Sequence, residues 1–418
     1  MSSTRSDALV LGGGVIGLAC AYHLLKAGAT VRVLEQGSVG CGASHGNCGT
    51  ITPSHAPPLN EPGMTMKALR WMLKRDAPLY VNPRPDFERF RWLLGFAGRC
   101  NPRDFWRAAE ARAAILERSG ALLERWVADD GLDCEYAREG TLYVFRDARA
   151  FAQEQSHLDA LARLGIAVER KCADEVLAME PALKPGVAGG VLHPGDARLR
   201  PDRYAAELAR RVRELGGAID EGARVEGFAF DGSRIAAVRS SRGEFVGTRV
   251  VLALGAWSPL TARSLDLRLP MQPGKGYSIT YSRPALAPRR PLVLREPSVC
   301  VTAWGSGFRL GSTMEFSGYD ATLNRVRLDA LRRGAAGFLH EPEGPQVQEE
   351  WWGWRPMSVD EVPIVGPSAR WTNLLLATGH GMLGVSMSAA TGELVAALAG
   401  GIAPALDPAP YAPARFGL

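Results

Sequence analysis

The stretch from Ala8 to Glu35 limits what this chain can fold into more than any other. Ala8-Leu9-Val10-Leu11 is a short apolar run with the length and branching of a buried parallel strand. Gly12-Gly13-Gly14-Val15-Ile16-Gly17 follows at once and matches G-x-G-x-x-G. Leu18 to Ala27 then carries apolar residues at helical spacing (Leu18, Ala21, Tyr22, Leu25) and stops at Gly28. A second strand, Thr30 to Leu34, ends on Glu35. The glycines divide the work: Gly12 permits the tight turn, Gly14 lets a pyrophosphate approach the backbone, and Gly17 lets helix and strand pack closely. The helix start, with Val15 and Ile16, supplies free N–H groups and a positive dipole end. Glu35, with Gln36 beside it, stands where a carboxylate accepts hydrogen bonds from ribose hydroxyls. The register predicts a dinucleotide site for an unphosphorylated adenosine ribose, as in FAD or NAD.

A second polar loop separates these two. Gly42-Ala43-Ser44-His45-Gly46-Asn47-Cys48-Gly49 stands where a nicotinamide-binding domain continues into its third strand. It suits a long cofactor wrapped along its ribityl chain, with Ser44, Asn47 and Gly49 as contacts. Later segments return to the same place. Arg224 to Phe228, with Val225, and Ile235 to Val238 read as paired strands; Arg249 to Ser258 is a buried strand ending at a glycine, with Gly255 and Trp257 near the nucleotide. Asn373 to Thr378 is another strand, and Gly379-His380-Gly381-Met382-Leu383-Gly384 precedes a helix from Val385 to Leu398. Its N–H groups suit the pyrimidine edge of a flavin, where negative charge builds on reduction.

At 418 residues two domains are expected. The fold class is α/β and α+β: a Rossmann-like FAD-binding domain with a mixed-sheet substrate domain. The first comprises 1–60, 185–265 and 355–418, the second 61–184 and 266–354. Residues 64–130 read as helices with Phe90, Trp92 and Trp126 among core aromatics, and 270–315 alternate in strand fashion as the floor of the second domain. The net charge of +5 is mild and no Lys/Arg block tracks a nucleic acid, so nucleic-acid partners are not expected. Seven scattered cysteines without a C-x-x-C pair signal neither zinc nor a disulfide framework, and point to a cytoplasmic compartment. MSSTRSD leads into a strand and not a signal peptide, and no apolar run reaches a membrane-spanning length. The expectation is a soluble protein, or one peripheral on the inner face of a membrane.

Together these segments resemble the D-amino-acid oxidase-like FAD oxidoreductases, most closely the bacterial D-amino-acid dehydrogenases. The likeness rests on Gly12 to Gly17 with Glu35, on Ser44 to Gly49, and on Pro62-Gly63 through Lys67-Ala68 to Trp71-Met72. It continues in Gly140-Thr141-Leu142, Lys275-Gly276-Tyr277-Ser278, Trp354-Arg355-Pro356-Met357 through Asp360 to Pro363 and Gly366, and Thr378-Gly379-His380-Gly381. The resemblance implies non-covalent FAD, since Pro356-Met357-Ser358 lacks the cysteine that tethers flavin in sarcosine-oxidase relatives. It implies a small amino-acid substrate and an acceptor such as a quinone or respiratory-chain component. It also makes Arg355 a clamp for the substrate carboxylate, which a guanidinium holds bidentately; the bland alternative is an ion pair with Asp360 or Glu361. Tyr277 is a second carboxylate or amine contact, or a core tyrosine. His380 shapes the flavin's electronics or bonds backbone, and His55 is a pocket candidate.

No general base is evident. The expected mechanism binds the neutral amine with its Cα–H facing flavin N5 for direct hydride transfer, leaving an imine that hydrolyses to a 2-oxo acid. Cys48 replaces a common alanine and His55 a frequent aromatic, and the sequence from His193 to Arg198 around Asp196 is unusual for the family. These departures suit a narrow substrate such as D-proline or 4-hydroxy-D-proline. The alternatives are an oxygen-using oxidase of the glycine/sarcosine type and the flavin subunit of a multi-subunit imino-acid dehydrogenase.

Overall fold

The computed structural model describes residues 5–66, 79–82 and 84–418. Lys67, Ala68, Trp71 and Met72 lie outside the described residues. The opening apolar run forms the strand Arg5–Leu11, which pairs in parallel with Val31–Leu34 on one side and with Gly243–Leu252 on the other. Ala218–Asp220 extends the parallel sheet beyond Val31–Leu34, and Leu374–Thr378 beyond Gly243–Leu252. The helix Val15–Lys26 covers one face with Pro201–Glu214 and Gly384–Gly400. Gly392 allows the close helix contact, because a Cβ there would come 2.4 Å from the Ala19 carbonyl oxygen.

A second, nine-stranded mixed sheet carries the rest. Its long centre is Met271–Tyr281, antiparallel to Val347–Ser358 on one side and to Gly307–Phe316 on the other. The expected alternation over 270–315 does not appear as alternating burial: every residue of Met271–Tyr281 is buried. The helix Arg325–Ala336 covers one face. The second glycine loop covers the other, pinned by Arg309, which donates to the His45 and Asn47 carbonyls and to Thr280 Oγ1.

Three boundaries differ from the sequence reading. Gly189–His193 pairs with Thr141–Phe145 in the second sheet, and so does not return to the nucleotide half. Residues 355–358 complete a strand of the second sheet. The 28-residue helix Pro102–Asp129 packs on Gly384–Gly400, against the nucleotide half, through Ile115, Leu122 and Trp126. Such pairings join distant segments, so local periodicity carries no record of them. The helices expected over 64–130 are interrupted by the strand Leu79–Val81, and Phe90, expected in the core, is 59% exposed.

Candidate active site

The first glycine turn meets its geometric demands. Gly12 has φ +108°, and a Cβ on Gly17 would stand 1.9 Å from the Gly12 carbonyl oxygen, so only glycine lets the helix start against the strand. A Cβ on Gly14 would meet nothing nearer than Ser44 Oγ at 3.5 Å; that space is left by the protein and faces the cavity. Glu35 is buried, and its carboxylate accepts from the Gly13 amide (2.6 Å) and the Gly37 amide (2.9 Å). It braces the turn while facing the cavity, with lone pairs remaining for a hydroxyl donor.

A cavity of about 1070 Å³ runs from this turn to the second sheet. Gly12, Gly14, Val15 and Ile16 line its nucleotide end, with Glu35, Gln36 and Val225. Ser44, Asn47, Gly255 and Trp257 line its middle, and Gly381, Met382, Leu383 and Gly384 one wall. Two long helices, Val15–Lys26 and Gly384–Gly400, begin at this cavity with no acid in the first turn, so both positive dipole ends face it. Gly49, Gly379 and Gly17 do not line it. Gly49 (φ +72°) and Gly379 (φ +79°) are turn residues, and a Cβ on Gly49 would strike the Leu199 carbonyl oxygen at 2.0 Å.

Arg355, Tyr277, His55 and His380 all line the same cavity. Arg355 is registered opposite Gly274, and its guanidinium lies against Gly276, where a Cβ would be 2.4 Å from Cζ. It donates to the Thr313 carbonyl (2.6 Å). Ser312 and Thr313 have φ of +134° and +59°, beside a bulge opposite Lys275 and Tyr277, and this strained backbone aims the carbonyl at the guanidinium. Neither acid named as an alternative partner is available: Asp360 pairs with Arg415 and Glu361 with Arg112. Arg355 thus has no acid partner among the described residues, and this largely desolvated cation faces a cavity.

Tyr277 donates its hydroxyl to Glu315 (3.1 Å), so that oxygen can only accept from a ligand. His380 turns Nε2 to Thr391 Oγ1 (2.9 Å), whose own proton goes to the Met387 carbonyl. The imidazole is therefore the donor, and burial holds it neutral with a pKa of about 3. It anchors the glycine loop to the helix. His55 Nε2 contacts the Tyr143 hydroxyl, and burial and Arg112 hold its pKa down at about 3. Sequence reasoning passed over Cys300, Ser312, Leu323, Trp351 and Trp352, which also line the cavity. The apolar Trp352-x-Trp354 alternation on one strand was the available signal.

Beside His55, Asp196 accepts from the Ser54 amide (3.2 Å) and hydroxyl (2.7 Å), and burial pushes its carboxyl up to about 7. The folded chain therefore keeps a proton that an unfolded aspartate has lost by about pH 4, so stability falls as pH rises from about 4 to about 7. Asp196→Asn is expected to raise the melting temperature at pH 8, with the gain shrinking towards pH 4. Differential scanning fluorimetry across that range checks it, and a gain independent of pH would refute the assignment.

The profile of the DAO family, FAD dependent oxidoreductase, matches residues 7–398. The chain belongs to this family. D-amino acid dehydrogenase of Granulibacter bethesdensis is 32% identical over 98% of this chain and 99% of its own length. D-amino acid dehydrogenase of Rhizorhabdus wittichii is 34% identical over 98% and 99%. Among solved structures, glycine oxidase from Geobacillus kaustophilus has a TM-score of 0.77 at 23% identity, covering 98% of each chain. L-proline dehydrogenase from P. horikoshii has a TM-score of 0.73 at 20% identity, covering 99% and 98%. The fold is the one these two structures share. The enzyme is an FAD-dependent oxidoreductase. The residues present fit that cofactor: a glycine turn with space above Gly14, a buried acid at the second strand, and two helix starts on one elongated cavity.

Proposed function

We propose that this enzyme is a D-amino-acid dehydrogenase, and that Arg355 receives the substrate carboxylate. The observation that carries the reading is the desolvated guanidinium without an acid partner among the described residues, on the wall of the same cavity. The full-length relatives named D-amino acid dehydrogenase support the substrate's handedness. FAD, when bound without a covalent tether, supplies the acceptor for the hydride leaving Cα. Arg355 fixes the carboxylate and thereby the direction of the Cα–H bond, while the Tyr277 oxygen accepts from the amine. Trp351, Trp352 and Leu323 give the side-chain end flat apolar walls, which suit a ring such as that of D-proline or 4-hydroxy-D-proline.

His55 and His380 are both neutral well below pH 5 and add no ionisation between pH 5 and 8. The expected kcat/KM profile rises with pH along the substrate amine's ionisation and does not descend; a descending limb in stopped assays would refute direct use of the neutral amine. An anaerobic flavin-bleaching screen with D-amino acids, D-prolines, glycine and sarcosine tests the substrate class, and parallel quinone-dye and peroxide assays test the acceptor. Bleaching by glycine and sarcosine alone, with peroxide formed, would replace the reading by an oxidase.

No helix among the described residues is long and apolar enough to cross a membrane. Peripheral association with the inner membrane face would instead bring the enzyme to a quinone or respiratory-chain acceptor. It is supported by the helix Phe87–Ala97, where Phe87, Phe90 and Leu94 are 76%, 59% and 58% exposed at a spacing that forms one face. Phe90→Asp is expected to abolish sedimentation with anionic lipid vesicles without changing dye reduction; wild-type protein that does not sediment would remove this part.

A further inference from the structure

Two cysteines meet at the substrate end of the cavity from different halves of the molecule. Cys48 comes from the second glycine loop, and Cys300 from the strand Val299–Trp304; both line the cavity. Cys300 is registered directly opposite Gly311 on Gly307–Phe316. A Cβ built on Gly311 would lie 2.5 Å from Cys48 Sγ. The Cβ positions of directly opposed residues are about 5 Å apart, so the Cys48 sulfur fills the room of Gly311's absent side chain, beside Cys300. Both are free thiols.

The pair is chemically polarised. The contact with Cys300, together with the Arg309 and Arg355 guanidiniums, draws the Cys48 thiol below its ordinary range against the opposing effect of burial. The same contact and burial push Cys300 well up. Cys20, Cys41, Cys100 and Cys134 are all pushed up by burial. A thiol held below its ordinary range beside arginines, facing a cavity and next to a second thiol, is the arrangement of a nucleophilic sulfur with its resolving partner.

We propose that Cys48 and Cys300 form a reactive dithiol site on the cavity wall, which hydrogen peroxide closes to a disulfide and a trivalent arsenical bridges. In the first reaction the Cys48 sulfur attacks one peroxide oxygen, the O–O bond breaks, and Cys48 becomes a sulfenic acid while the departing hydroxide takes up the thiol's proton and leaves as water. Cys300 then attacks that sulfur, the S–S bond forms, the S–O bond breaks, and a second water leaves. Two thiols are oxidised and one peroxide is reduced to two waters. With an organic arsenic(III) oxide, two S–As bonds form and the oxide oxygen departs as water with both thiol protons.

The test uses the full-length FAD-loaded protein, with Cys48→Ala as the comparison because alanine removes the sulfur and keeps a small side chain in the loop. Hydrogen peroxide treatment, blocking of residual thiols and peptide mapping should yield a Cys48–Cys300 cross-linked peptide, reversed by dithiothreitol. One equivalent of phenylarsine oxide should remain bound through a wash with excess monothiol, and Cys48→Ala should lose at least ten-fold of that retention while keeping its flavin absorbance. Recovery of Cys48 and Cys300 as separate blocked thiols after peroxide, or equal arsenical retention by both proteins, would overturn the proposal.

Discussion

Arg355→Ala is expected to lower kcat/KM for the amino-acid substrate by about one and a half to three and a half orders of magnitude while leaving FAD bound. Losing one partner of a desolvated, hydrogen-bonded charge pair costs about 2–5 kcal/mol, and about 1.4 kcal/mol corresponds to ten-fold in rate. The guanidinium donates to the Thr313 carbonyl and has no carboxylate partner among the described residues, so its removal strands no buried carboxylate. Arg355→Lys should recover only a small part, because a single ammonium cannot reproduce the planar fork. Gly276→Ala reaches the same group without deleting its charge. The new Cβ would fall 2.4 Å from Arg355 Cζ and force the guanidinium to move. Steady-state kinetics should therefore show both variants impaired with unchanged flavin content. An Arg355→Ala enzyme with wild-type kcat and KM would end the clamp assignment.

Gly14→Ala should weaken FAD binding by about a hundred-fold or more and leave the apoprotein's thermal unfolding almost unchanged. The position has φ −76°, which alanine adopts freely, and the added Cβ meets only Ser44 Oγ at 3.5 Å. A loss of affinity must then come from the cofactor, whose pyrophosphate needs that space. Gly17→Ala is the instructive contrast. Its Cβ would stand 1.9 Å from the Gly12 carbonyl oxygen, so it should damage the fold before any ligand is considered. Isothermal titration of apoprotein with FAD, beside circular-dichroism melts, separates the two. Equal affinity of Gly14→Ala and wild type would place the pyrophosphate elsewhere.

The nucleotide end is legible in the sequence because its determinants are local. A strand, a glycine turn, a helix and an acid lie within thirty-odd residues, and each obeys a steric rule visible in the residue types. The same reasoning overreaches at Gly49 and Gly379. Both are glycines because their backbones take positive φ, and neither lines the cavity; glycine has two uses that residue type does not distinguish. At the substrate end, Arg355 is legible only through family resemblance. Its surroundings come from pairing between strands far apart in the chain: Gly276 and Tyr277, the bulged Ser312 and Thr313, and Cys300. Nothing near Arg355 in sequence announces a bulge some forty residues earlier, and nothing near Cys48 announces Cys300.

Substrate handedness and the Arg355 clamp are tested together by anaerobic titration of the purified, FAD-loaded enzyme with matched D- and L-amino acids, followed by the flavin's visible absorbance. A D-amino acid, most readily a cyclic one, is expected to bleach the flavin of the wild type, and Arg355→Ala to bleach at least about thirty-fold more slowly at the same concentration. Bleaching by L-enantiomers alone would contradict the handedness, and equal rates for the two proteins would contradict the clamp.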